Sequence, residues 1–294
     1  MNHKIESGGD FEIGSFRVPG RKLHDALQLI SDDELTIETT DASAIIRFGK
    51  SSKLTLPLIS EPMPSVPEAE WSKPVLIEDL QGKLRTLLPF CSKAIHRPEL
   101  QSIHFGKEVM EVADGRRIGW IDLKGMKLDS VVPTELCQLV AKTEGTVTTR
   151  FSPNMAEFSG EGWTITGKLI EAKYADIRSL RKQVTVFTVK SSARELIEAS
   201  SQAAFELSTN QDSIKVRTAP DQLIFTDGKH ELPCDAEVSE GHHNFALSAS
   251  ALESALVAVT PEGRDEVELS FSDAFSFSVE HAGVQVVCML TRLD

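Results

Sequence analysis

Residues 131–177, VVPTELCQLVAKTEGTVTTRFSPNMAEFSGEGWTITGKLIEAKYADI, read as one short helix followed by three strands. After the turn proline Pro133, Leu136, Leu139 and Val140 recur at helical spacing and give the helix one apolar side. Gly145 is read as its end, because glycine accepts the left-handed conformation that closes a helix. Three alternating segments follow at 146–151, 155–158 and 163–169. Ser152-Pro153-Asn154 and Gly160-Glu161-Gly162 separate them, and both are turn chemistry. A helix and a small antiparallel sheet each bury only one face, so such a unit requires neighbours.

The rest of the chain repeats this unit. Helical patterns open near Gly20, Asp79, Thr134, Ser192 and Ser250, a period of 55–59 residues. Copy one is FRVPGRKLHDALQLI, then ELTIETT, AIIRFG and KLTLPLI, and the proline-rich EPMPSVP at 61–67 follows as a linker. Copy two carries Leu80, Leu84, Leu87, Leu88 and Cys91 on its helix, which Pro89 should kink or shorten, then LQSIHFG, KEVMEVAD and RRIGWIDL. Copy four opens with SSARELIEASSQAAF, where Ser192 and Glu195 fit a capping box, followed by ELSTN, SIKVRT, QLIFTD and CDAEV. Copy five is SASALESALVAV, then EVELSFS, FSFSVE and VQVVCML. The fold class expected is α+β, with domains at 1–68, 69–182 and 183–294. Copies two and three pair, as do four and five, and copy one stands alone. A lone half-domain exposes sheet edge and apolar helix surface, so another chain covers it or a preceding unit is missing.

At 294 residues and 40% hydrophobic content the chain suits two or three packed domains. Its net charge of −13 argues against a generic basic nucleic-acid surface, although lysines and arginines gathered on one face act locally. Cys91, Cys137, Cys234 and Cys288 sit far apart inside apolar patterns, which suits buried thiols better than disulfides or zinc. The N-terminal residues hold no apolar signal core, and no apolar run reaches membrane-spanning length. A soluble, cytoplasmic protein is the expectation.

Catalytic patterns do not emerge. Gly49-Lys50-Ser51 ends like a phosphate loop, but Ala44 stands where the first glycine belongs and a strand follows instead of a helix. His242-His243 precedes a strand, and adjacent histidines do not face one metal as an i, i+4 pair does. Asp114 reads as part of a tight Asp-Gly turn. No catalytic residue, metal or cofactor is expected.

Five stretches carry a resemblance. RVPGRKL at 17–23 resembles a "VPARKL" stretch, FGKSSKLTL at 48–56 a "SGRSRFKL" strand pair, and VADGRRI at 112–118 an "ATDGHRL" turn with Arg116 where histidine is usual. LIEAKYAD at 169–176 is similar to "LIEGKFPD", with Ala175 replacing proline, and MLTRL at 289–293 to a terminal "MPMRL", with Asp294 one residue further. In this order they resemble the bacterial DNA polymerase III beta subunit, the sliding clamp. The resemblance implies a DNA-clamp fold of three similar domains, with the first half of domain one lacking here. That family closes its ring between the first domain of one subunit and the third of another, so a homo-oligomeric ring is expected with a modified interface.

The resemblance also implies two surfaces. A clamp holds duplex phosphates loosely in a helix-lined hole, without base readout. The candidate cations are Arg21, Lys22, Lys83, Arg85, Lys93, Arg97, Lys142 and Arg194, whereas the copy-five helix offers only Glu253. The second surface is a pocket for short peptides of DNA polymerase and clamp-loader subunits. Carried over by motif, it comprises Leu100, Gly115, Arg116, Arg117, Ile118, Leu180, Cys288, Met289, Leu290, Thr291, Arg292 and Leu293. Aliphatic walls, a methionine and rim arginines suit a peptide with apolar anchors and an acidic tail. Two other readings stay open: a non-encircling, clamp-derived module that competes for clamp partners, and an enzyme.

Overall fold

The computed structural model describes residues 16–30, 34–61, 67–94, 96–205, 213–260, 266–273, 275–281 and 283–291. The expected pocket residues Arg292 and Leu293 and the expected strand ELSTN lie outside them, as does most of the proline-rich linker. The chain divides into two compact units, Met1–Glu68 and Ala69–Asp294. In the first, α1 (Gly20–Gln28) precedes β1 (Leu35–Thr39), β2 (Ser43–Phe48) and β3 (Ser52–Pro57). The strands form one antiparallel sheet in sequence order. Among the described residues of this unit, Ala26, Ala44, Ile46 and Leu56 are the buried apolar ones. Phe48 pairs with Ser52, so Gly49-Lys50-Ser51 is a hairpin tip, with Gly49 at φ 58°.

The second unit repeats the plan. Its first half holds β4 (Val75–Leu76), α2 (Leu80–Leu87), β5 (Ser102–Ala113), β6 (Arg117–Pro133), α3 (Thr134–Ala141), β7 (Thr148–Phe151), β8 (Met155–Gly160) and β9 (Trp163–Lys168). Its second half holds β10 (Thr185–Ser192), α4 (Ala193–Phe205), β11 (Ser213–Ala219), β12 (Gln222–Thr226), β13 (Glu231–Asp235), β14 (Glu237–Val238), β15 (Asn244–Ser248), α5 (Ala249–Val259), β16 (Glu266–Ser272), β17 (Ser276–His281) and β18 (Val284–Met289). Two four-stranded sheets, β4-β7-β8-β9 and β13-β12-β11-β15, accompany a seven-stranded sheet ordered β14-β10-β16-β17-β18-β6-β5. Local chemistry sets the helix ends. The Asp79 carboxylate accepts from the Gly82 N–H and caps α2, and Pro89 turns the chain into the 3-10 segment Leu88–Phe90.

Several expectations need correction. The three strands expected in copy two are two long ones, because β5 absorbs the first two and bends at irregularities between Phe105 and Val109, with Glu108 at φ 59°. Pro133 is no free turn: it ends β6 and stands directly before α3. Gly145 does not close α3, whose C-cap is Lys142; its φ of 81° serves the following connection instead. β10 and β15 had no counterpart in the sequence reading.

The joint that matters for the site is the antiparallel ladder between β18 and β6. Val284 pairs with Ile121, Val286 with Gly119, and Cys288 with Arg117, so strands of both halves share one sheet. The pleat then sorts side chains to opposite faces. Ile121, Val286 and Cys288 join the large core under the helices. Ile118, Trp120 and Val287 join Leu100, Val109, Ala113 and Ile177 in a smaller cluster on the other face.

All four cysteines are buried and unpaired. Burial pushes the Cys91 thiol up to about 11 and Cys288 to about 12, with Cys137 and Cys234 also raised. A raised thiol pKa keeps the reactive thiolate absent until the pH approaches that value. At pH 8 the native protein should therefore leave a chromogenic disulfide reagent unreacted, whereas the unfolded chain titrates four thiols. A thiol reacting rapidly in the folded protein would contradict this packing.

Candidate functional site

The Asp114-Gly115 turn joins β5 to β6 and places the motif arginines. The Asp114 Oδ1 accepts the N–H groups of Arg116 at 2.9 Å and Arg117 at 2.7 Å, while Gly115 takes φ 95°. Arg116 stays exposed. Arg117 turns toward the helices. Its Nε donates to Asp114 Oδ2 at 2.8 Å, its Nη1 donates to the Ser254 Oγ on α5 at 2.7 Å, and its guanidinium lies 5.3 Å from the Phe90 ring centroid. It is a strut between the two halves of the second unit.

The carried-over pocket residues divide accordingly. Leu100 and Ile118 belong to the outer cluster, whereas Arg117 and Cys288 face the helices. Leu180 and Met289 are 47% and 52% exposed, and Phe275, which sequence reading missed, is 75% exposed. The Met289 N–H donates to the Arg116 carbonyl at 2.9 Å, and the Leu290 N–H to the Phe275 carbonyl at 2.8 Å. Leu290 packs against the large core, and Thr291 bridges to Ala246 of β15. Trp120, Ile177 and Val287 complete the outer cluster. Alternation in RRIGWIDL places Trp120 with Ile118, but no local pattern points to Ile177 or Phe275.

The candidate cations lie on several elements. Arg21 and Lys22 are exposed on α1 of the first unit. On α2, the Lys83 Nζ donates to the Glu78 carbonyl at 2.7 Å, and the Arg85 Nη1 donates to the Ala141 carbonyl at 2.8 Å. Arg85 thus answers the negative end of α3 while the residue itself stays exposed. Lys142 is exposed as the C-cap of α3, and Arg194 pairs with Glu198 along α4 at 2.8 Å. Lys93 and Arg97 lie beyond α2 rather than on a helix. Arg97 pairs with Glu99, and a Cβ placed on Gly115 would sit 3.9 Å from its Nη1, so it stands at the Asp114 turn. A cleft of about 680 Å³ separates α2 from α5, with Lys83 and Glu253 at its rim and Ile121, Val257 and Val284 among its apolar lining.

Among the described residues no cluster of His, Cys, Asp or Glu could hold a metal ion, and no helix is long and apolar enough to cross a membrane. His243 stacks on Phe187 with centroids 3.8 Å apart, which accounts for the second histidine of that pair.

Replacing Arg117 with alanine should lower the free energy of unfolding by roughly 2–3 kcal/mol, since its charge-assisted bonds join both halves. Urea denaturation measures this. A loss under about 0.5 kcal/mol, typical of surface positions, would remove the strut assignment.

No protein-family model matches the chain. It is similar to the beta sliding clamp of Vibrio cholerae, with 21% identity over 242 residues, covering 76% of this chain. The match spans 65% of that relative's length. A sliding clamp from Bartonella birtlesii bound to griselimycin superposes with a TM-score of 0.85 at 16% identity, covering 95% of this chain and 82% of that one. The DNA polymerase III beta subunit of Pseudomonas aeruginosa gives 0.83 at 20% identity, covering 97% and 84%. The Helicobacter pylori beta clamp bound to a DNA ligase peptide gives 0.83 at 17% identity, covering 98% and 85%. The chain has the sliding-clamp fold of bacterial DNA polymerase III beta subunits.

Proposed function

We propose that this chain belongs to the beta sliding-clamp family and works as a non-catalytic processivity factor. It encircles duplex DNA as a homo-oligomer and tethers polymerase, clamp-loader and other replication proteins through short peptides. The three domains at 1–68, 69–182 and 183–294 and a cytoplasmic location belong to this reading. The observation that carries it is the exposed apolar end of the seven-stranded sheet. In this reading Leu180 and Val184, exposed on the segment before β10, join Met289 at the end of β18 and Phe275 in the turn before β17. Arg116 and Arg97 stand at the neighbouring Asp114 turn. Apolar side chains with arginines close by fit a short peptide with aliphatic anchors and an acidic flank. The Helicobacter pylori beta clamp, which shares this fold, is bound to a DNA ligase peptide.

For DNA, the exposed Arg21, Lys22 and Lys142 together with Lys83 are the cations to test. For assembly, Phe205 at the end of α4 is 84% exposed and Leu29 after α1 is 74% exposed. Apolar groups this open on the first domain and on the third suit burial against a second copy.

Leu180→Asp or Met289→Asp should each weaken a clamp-binding peptide by at least about tenfold, read by fluorescence anisotropy, because a charge replaces an anchor contact. Unchanged affinity in both variants would remove the groove assignment. Native mass across a concentration series should give a closed oligomer that Phe205→Glu dissociates. A monomer at every concentration would overturn ring closure. Glutamate at Arg21, Lys22, Lys83 and Lys142 should reduce retention on circular DNA and flatten its salt dependence, and full retention would overturn the channel reading.

A further inference from the structure

Residues 169–184 link β9 to β10 and lie as a strap across the outer face of β5 and β6. Tyr174 stacks on His104 of β5 with ring centroids 4.8 Å apart, and Ile177 is buried in the outer cluster beside Trp120 and Val287. Beyond Ile177, every residue up to Phe187 escapes full burial, and Leu180 and Val184 face solvent. Arg181 and Gln183 are the partly covered residues in that stretch. Gln183 accepts from the Ser276 Oγ on β17, whose residue pairs with Met289. The Arg181 guanidinium lies 5.1 Å from the Trp120 ring centroid and pairs with Glu111 of β5.

Glu111 does not stand alone. Its other oxygen is 2.8 Å from His104 Nδ1, and His104 Nε2 is 2.9 Å from Asp129 Oδ1 on β6. Arg181, Glu111, His104 and Asp129 thus form one contiguous row across the strap and the sheet. Glu111 is buried, and Asp129 at the far end is exposed. Burial disfavours the Arg181 cation, so it stays against the sheet only with an anion beneath it.

We propose that this row is a latch that holds the second half of the strap on the sheet and so sets the position of Leu180 at the peptide groove. Arg181, Glu111 and His104 are positioning residues that touch no peptide. The consequence for peptides rests on the groove reading above; the latch itself rests only on the contacts within the strap and sheet.

Hydrogen exchange by mass spectrometry on the full chain tests it. Glu111→Gln, and in parallel Arg181→Gln on the more exposed strap, should speed amide exchange in residues 178–186 by at least about tenfold while the β16–β18 amides stay protected. The double variant Glu111→Leu with Arg181→Met replaces the ion pair by apolar bulk and should restore both folding and slow exchange. Peptide affinity should follow the strap, falling by about fivefold in the single variants through the added ordering cost and recovering in the double. Unchanged exchange in both single variants would overturn the latch. A loosened strap with full peptide affinity would overturn its control of the groove. If the unaltered protein binds no clamp peptide, the groove reading fails, and the exchange data still judge the latch.

Discussion

The antiparallel ladder between β18 and β6 is the interaction on which the rest of the second unit depends. It joins residues that lie far apart in the chain into one seven-stranded sheet. Once that register is set, the pleat has no freedom left. Val286 and Cys288 must enter the helix-side core, and Val287 must face the opposite side with Ile118 and Trp120. A slip of one residue would exchange these sets and place apolar groups on the wrong face. Arg117 reinforces the register from the end of β6 by reaching Ser254 on α5.

The two faces of that sheet do different work. The helix side is a continuous apolar core, with α2 packed on α3 and α4 on α5. Its cations are held partly by internal partners, as Arg85 is by the Ala141 carbonyl. The outer side has a small apolar cluster and relies on a strap fastened by mixed contacts: a stacked ring, one buried isoleucine and an ion pair. Small apolar area gives such a segment little burial energy, and removing one partner of its ion pair would leave the other charge covered and unpaired.

Duplication is visible at the level of single hydrogen bonds. Asp114-Gly115 and Asp227-Gly228 form the same turn, each carboxylate accepting two successive backbone N–H groups, with the glycines at φ 95° and 94°. Those N–H groups and His230 hold the Asp227 carboxyl well below the usual carboxylate range. The side chain three residues on closes the turn in both: Arg117 on Asp114 and His230 on Asp227. Among the described residues, the first of these also reaches another element, Arg117 to Ser254 on α5, and the second does not.

The repeat period, the helix starts at Gly20 and near Asp79, the α+β class and the buried thiols were determined by the sequence alone, because apolar periodicity and turn residues act over a few neighbours. So was the motif resemblance that led to the clamp fold. Tertiary structure alone decided that β5 and β6 run long, that Arg117 turns to the helices while Ile118 turns away, and that Arg97 stands by the Asp114 turn. It alone also brought Arg181, Glu111, His104 and Asp129 into one row. The physical reason is range. Periodicity records which face a residue occupies within its own element, whereas partners across a sheet are chosen by pairings that no local pattern encodes.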